Sequence, residues 1–118
     1  MSTYKSHKDL DVWKRSIELV SDIYVLVKAF PDDEKFGMIS QMRRAAVSIP
    51  ANIAEGAGRQ SKKEFAQFLY VALGSLAELD THIVIAQKQG YVKDAFKIEQ
   101  EITDIKKMLN GLIFSLKR

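Results

Sequence analysis

The sequence predicts an all-α fold, an antiparallel up-down-up-down four-helix bundle, on three observations. Four segments carry apolar residues at alternating spacings of three and four, which places them on one helix face. Short stretches containing proline or glycine separate those segments, and no stretch alternates apolar and polar residues strongly enough to compete as a strand.

Residues 1–8 are short and polar and read as a flexible N-terminal tail; residues 9–118 read as one domain. The first helix is predicted from Asp9 or Asp11, either of which could cap it, to Phe30. Its apolar face is Trp13, Ile17, Val20, Tyr24 and Val27, widened by Leu19 and Leu26. Pro31 stops it, Asp32 and Asp33 are cap candidates for the next helix, and Gly37 loosens the turn.

The second helix is expected over 36–57, with Ile39, Met42, Ala46, Ile49, Ile53 and Ala57 on its apolar face. Pro50 lies inside it and predicts a kink, at a cost of about 3 kcal/mol in an ordinary helix. The periodicity continues past the proline, which favours one helix over two. Gly56 and Gly58 supply the stop, one of them in a left-handed conformation. Opposite the apolar face runs a polar stripe of Gln41, Arg44, Ser48, Asn52, Glu55 and Arg59. It is either the solvated side of the helix or a set of interhelical or intersubunit hydrogen bonds fixing register; small residues around Asn52 and Glu55 favour the second reading.

Ser61, followed by Glu64, reads as a capping box that opens the third helix. Its broad apolar face runs from Phe65 through Phe68, Leu69, Ala72, Leu73, Leu76, Leu79 and Ile83 to Ala86, and Gly90 ends it. Gly74, in mid-helix, costs about 1 kcal/mol relative to alanine, which close approach of a neighbouring helix at Ala45, Ala46 or Ala54 would offset. The fourth helix, from about Lys93, has Ile98, Ile102, Ile105, Leu109, Leu112 and Leu116 in heptad spacing.

The chain has 118 residues, 47% hydrophobic and 28% charged, which suits a single globular domain. A net charge of +3 permits contact with nucleic acid or anionic surfaces without requiring it. With no cysteine there is no disulfide framework or thiolate metal site, which suits a reducing cytoplasm. No basic-then-apolar leader opens the chain and no uninterrupted apolar run reaches the ~18 residues of a membrane span, so a cytoplasmic protein without membrane contact is expected.

An enzymatic reading finds little support. His7 and His82 are the two histidines, and neither has a second at ligand spacing; the repeated Glu-x-x-His pairs of di-iron bundles are absent. Glu78 and Asp80 are better read as surface or interhelical groups than as a magnesium site. The segment GAGRQSKKE follows a helix instead of a strand and lacks phosphate-loop spacing. No catalytic residue, metal or cofactor is expected.

The stretches DLDVWKRSIELVSDIY, FGMISQMRRAAVSIPANIAEGAGRQSKKEF and FLYVALGSLAELDTHIVIAQKQGY carry a resemblance over most of residues 9–91. They resemble the bacterial four-helix-bundle family of proteins encoded within intervening sequences of 23S ribosomal RNA genes, sometimes labelled S23 ribosomal proteins. RRAAVSIPANIAEG followed by ALGSLAEL is the specific part; the last helix matches only in heptad character. The resemblance implies a homopentamer of bundles around a central opening. It also implies a likeness in fold to the accessory proteins of diversity-generating retroelements, which bind nucleic acid and a reverse transcriptase. The family name records gene location and brings no activity with it.

Candidate phosphate-binding residues are Lys14 and Arg15 in the first helix, Arg43 and Arg44 in the second, and Arg59, Lys62 and Lys63 around the second loop. Lys106, Lys107, Lys117 and Arg118 form a further set. The alternative is a solvated face, since Glu18, Asp22, Glu55 and Glu64 lie among them. Leu10, Val12, Val25, Tyr70, Val71, Val84, Met108 and Phe114 lie off the main seams; they mark either an oligomer interface or a wider core. The expectation is a non-enzymatic homo-oligomer that holds RNA or DNA phosphates, the alternative a protein-interaction scaffold without nucleic-acid binding.

Overall fold

A computed structural model describes residues 6–118 of the chain. Four long helices make up the fold: α1 (Asp11–Leu26), α2 (Met38–Ala57), α3 (Lys62–Lys88) and α4 (Phe96–Leu116); there is no strand among the described residues. Single 3-10 turns occupy His7–Asp9, Val27–Ala29 and Asp32–Glu34. The helices pack in cyclic order, each on its sequence neighbour and α4 back on α1, with α2 and α3 in the most extensive contact. Part of the expected tail, residues 1–5, lies outside the described residues, while Ser6 caps the first 3-10 turn by accepting from the Lys8 amide at 3.2 Å.

The core confirms the apolar faces of α2 and α3 and shifts that of α1. Val12, Leu19, Ile23 and Val27 are buried there together with Ser16, whereas Ile17 and Tyr24 are 39% and 40% exposed. A polar residue at a core position conceals the true periodicity in the sequence. Ser16 is tolerated because its hydroxyl donates to the Trp13 carbonyl at 2.7 Å, so no polar group is left unsatisfied. In α4 the last buried position is Ile113, with Leu112 only partly buried. A straight helix of 3.6 residues per turn drifts by about 20° per heptad against a seven-residue repeat, so by the second heptad Leu112 has turned about 40° off the seam and shares it with Ile113.

Several expected helix ends differ. The residue before α1 is Leu10, which offers no side-chain cap; Asp9 belongs to the preceding turn and Asp11 is already helical. Asp32 and Asp33 are consumed in their own 3-10 turn, and Glu34 Oε1 accepts from the first amide of α2, Met38, at 3.3 Å. The other carboxylate oxygen, Oε2, accepts from the Tyr91 hydroxyl at 2.9 Å, which ties the α1–α2 loop to the α3–α4 loop and raises the Tyr91 pKa. Ser61 does accept from the Glu64 amide at 3.1 Å, but the Glu64 carboxylate accepts from the Ser61 hydroxyl instead of from its amide, so the box is half formed. α2 runs as one helix through Pro50.

The glycines exchange roles relative to expectation. Neither Gly56 nor Gly58 is left-handed; Gly58 has φ −84°, and among the described residues Gly90 is the one with positive φ, +81°. At that end of α3 the Tyr91 amide reaches the Ala86 carbonyl and the Gly90 amide the Gln87 carbonyl, the two bonds of a Schellman stop. Gly74 has nothing within 4 Å of the position a Cβ would take, so no neighbouring helix within the chain approaches it. The close approach is at Gly56, where a Cβ would lie 2.7 Å from Phe68 Cβ and 2.9 Å from a ring carbon of Phe65. Because Phe68 Cβ moves only with the α3 backbone, any side chain at position 56 forces the two helices apart.

Where α1 meets α4 the contact is partly ionic. Asp22 pairs with Lys97 at 3.7 Å, and Glu101 shares the same space. Glu101 Oε1 is buried without a hydrogen-bond partner, and the Asp22 carboxylate is its neighbour. Burial first, then Asp22, pushes the Glu101 pKa from its ordinary 4.5 up to about 7, against the smaller opposing pull of Lys97 and Arg15.

By length and composition α3 is the one helix among the described residues able to cross a membrane, although Glu78 and Asp80 interrupt its apolar run. One side of it, including Leu69, Ala72, Leu76, Leu79 and Ile83, is buried in the bundle core. Val71, Val84 and Ile85 remain exposed on its outside, as do Val25 and Val47 on other helices. Of the residues off the expected seams, Val12 belongs to the core and Leu10 and Met108 pack against it.

Two outcomes follow from these contacts. Gly56→Ala is expected to lower stability, because overpacking at about 1–3 kcal/mol exceeds the ~1 kcal/mol gained in helix propensity; Gly74→Ala, free of any contact, is expected to raise it by up to ~1 kcal/mol. Chemical denaturation midpoints of the two variants check the opposite signs. For Glu101, the unfolded chain releases its proton near pH 4.5 and the folded chain holds it to about 7, so this group's contribution to stability falls as pH rises through that interval. Glu101→Gln should remove that fall and be more stable than the parent at pH 8, read from denaturation midpoints at pH 5, 6, 7 and 8.

Candidate nucleic-acid interface

Of the seven basic residues singled out in the sequence, three are engaged within the chain. Arg15, half exposed on α1, donates to Asp104 of α4 at 3.0 Å. That bond, with a second from Gln100, holds the Asp104 carboxyl below the usual carboxylate range. Arg43 lies with its guanidinium 4.9 Å from the centre of the Tyr24 ring, and its Nε is buried without an acceptor. Arg59 pairs with Glu55 one turn earlier at 2.8 Å and covers the Phe68 ring at 4.8 Å. Each has a local task that competes with binding a phosphate.

Lys14, Arg44, Lys62 and Lys63 are exposed, and none has a carboxylate partner among the described residues. They do not form one patch. Lys62 and Lys63 open α3 beside Arg59, whereas Arg44 stands near the middle of α2 next to the Arg43–Tyr24 contact, and Lys14 belongs to the first turn of α1.

The polar stripe of α2 divides in the same way. Gln41 and Arg44 are exposed. Ser48 lies 2.8 Å from the hydroxyl of Ser75 on α3, and the Asn52 amide donates to the Ser48 carbonyl at 2.8 Å and to its hydroxyl at 2.9 Å. These three residues form a short polar chain, with the Ser48–Ser75 contact as its link between α2 and α3. Glu55 and Arg59 close the stripe as an exposed pair.

Sequence reasoning did not find the surface between α3 and α4. A cavity of about 240 Å³ opens there, with Leu73, Leu76 and Ile102 as apolar lining and Asp80, Lys106 and Asn110 as polar lining. At the end of this groove near the close of α4, Lys117 Nζ lies 5.6 Å from the Tyr70 ring centre and the Arg118 guanidinium 5.2 Å from that of Phe114. The rings are 49% and 63% exposed. A signal was present in the sequence: Lys106, Asn110 and Phe114 recur every four residues and so share one face of α4. Among the described residues no three of His, Asp and Glu come together in a way that could hold a metal ion.

No curated protein matches the chain. The 23S rRNA-intervening sequence protein family matches the chain over residues 8–111, from the capped turn before α1 into the last turns of α4. That span covers α1, α2 and α3 whole, most of α4 and nearly all of the core, and the chain therefore belongs to the 23S rRNA-intervening sequence protein family.

Proposed function

We propose that this protein is a non-enzymatic, oligomeric accessory protein of the bacterial cytoplasm that binds RNA or DNA through phosphate contacts. The observation that carries the reading is the basic rim where α3 begins and α4 ends: Lys62 and Lys63 are exposed and, like Lys117 and Arg118, which rest only on exposed rings, have no carboxylate partner among the described residues. Unpaired cations of this kind release condensed counterions from a nucleic acid on binding, which makes affinity salt-dependent and largely indifferent to sequence.

The bundle in this reading is antiparallel, up-down-up-down. Two sets of pairings support it: Gly56 meets Phe65 and Phe68 while Ser48 meets Ser75, and Arg15 meets Asp104 while Asp22 meets Lys97. In both, the position along one helix rises as that along its neighbour falls. The assembly is a homopentamer, in keeping with the family resemblance, and the exposed Ile17, Val25, Val47, Val71, Val84 and Ile85 are the apolar surface that copies would cover. Around a common axis, five basic rims add to a field that one rim lacks.

Those same apolar residues favour a second reading, a scaffold for another protein with no nucleic-acid role. Salt separates the two. Binding of labelled RNA and DNA at 50 and 200 mM salt, with oligomer mass by light scattering in the same buffers, should show affinity falling by an order of magnitude or more. The triple variant Arg44→Glu, Lys62→Glu, Lys63→Glu should reduce the slope of log affinity against log salt by about two to three. An intact oligomer that binds neither polymer at low salt, or binds with no salt dependence, would sink the phosphate reading in favour of the scaffold.

A further inference from the structure

We infer that the groove between α3 and α4 is a base-stacking site for single-stranded nucleic acid, with Tyr70 and Phe114 as the platforms. This rests on the nucleic-acid reading above and deepens it, since it adds the strandedness of the ligand and a site made of residues other than simple cations.

The groove is built from two helix faces. On α3, Lys63, Tyr70, Leu73, Ala77 and Asp80 follow one another at spacings of three, four and seven, so they share a side. On α4, Lys106, Asn110, Phe114 and Lys117 do the same. The contact of Lys117 with the Tyr70 ring, at 5.6 Å, brings the two faces together at one end, and the shared cavity lining of Leu73, Asp80, Lys106 and Asn110 brings them together further along. From the rim inward the chemistry is therefore cations, then exposed rings, then a small cavity with polar and apolar walls.

Each part suits an unpaired strand. An exposed ring offers a π-face to any base, and a cation beside it can meet the adjoining phosphate. Lysine and arginine chains lying over exposed rings are held weakly and swing away at little cost, so Lys117 and Arg118 can give up their ring contacts to a base. At about 240 Å³ the cavity is smaller than the roughly 300 Å³ at which ordinary small-molecule sites begin, a size for one base rather than a larger ligand. Asn110 and Asp80 offer donors and acceptors for its edge. Gly74, with nothing within 4 Å of its missing side chain, leaves the approach open beside Leu73. A duplex keeps its bases stacked on one another and has no free face to lay on these rings.

The charge also selects the occupant. Lys106 in the cavity wall and Lys117 and Arg118 over the rings stand against Asp80, and Lys62 and Lys63 open the same helix α3, an excess of positive charge that fits a polyanion.

The test uses the full chain and three labelled probes: a twelve-residue oligouridine, a twelve-residue oligodeoxythymidine and a blunt DNA duplex. The first two separate RNA from DNA as the source of the strand. The wild type should prefer a single strand to the duplex, and Tyr70→Leu with Phe114→Leu should weaken single-strand binding by on the order of tenfold per ring, with duplex binding and oligomer mass unchanged. Photocrosslinking of 5-iodouridine-labelled oligouridine to the wild type should map to Tyr70 or Phe114, a readout independent of any variant's folding. If the wild type binds single strands and the double variant binds them equally well, or if crosslinks fall only elsewhere, the stacking site is overturned while the phosphate reading stands. Binding of no probe by the wild type overturns both. A double variant that loses oligomer mass would make this face a joint between copies and overturn the proposal as well.

Discussion

The bundle depends on how near α2 and α3 come to each other at Gly56. A methyl group there would meet the Cβ of Phe68, an atom that cannot move without the backbone behind it. With the helices that close, Phe65 and Leu69 of α3 and Ile53 of α2 share one core, and further along the same interface Ser48 and Ser75 come within hydrogen-bonding distance. Dispersion between atoms falls off steeply with separation, so a small widening at Gly56 would be felt along the whole interface. α1 and α4 then complete the ring around this pair, through an apolar seam and the ionic contacts of Arg15, Asp22, Lys97 and Asp104.

The fold was legible where burial and periodicity coincide. The faces of α2 and α3 emerge from spacing alone because few polar residues interrupt them. Around α1 the spacing misleads, since apolar residues nearly encircle the helix and the true core series includes Ser16, a residue that hides its polarity by bonding to its own backbone. Glycines were hardest to interpret. What a glycine does depends on what stands beside it in space, and the composition of a helix does not reveal that Gly56 is crowded and Gly74 is not.

The candidate site was legible in its charge and illegible in its partners. A run of sequence shows that Arg15, Arg43 and Arg59 are cationic, but not that a carboxylate or a ring is already beside each one. Those neighbours come from other helices or other turns, and they divide the cations into engaged and free ones in a way that the sequence does not show. Aromatic residues carried the complementary error. Tyr70 and Phe114 were noticed as surplus apolar surface, while the cations resting on them become visible only when α3 and α4 are side by side.

The bond from Tyr91 to Glu34 joins residues 57 positions apart, across the two loops at the opposite end from the basic rim. A link spanning so much chain closes late, once the intervening helices are already packed, because the entropy of so large a loop must first be offset by other contacts. It acts as a latch and not as a nucleus. The same carboxylate also receives the first amide of α2, so unfastening the latch loosens the entrance to the helix on which the central interface is built.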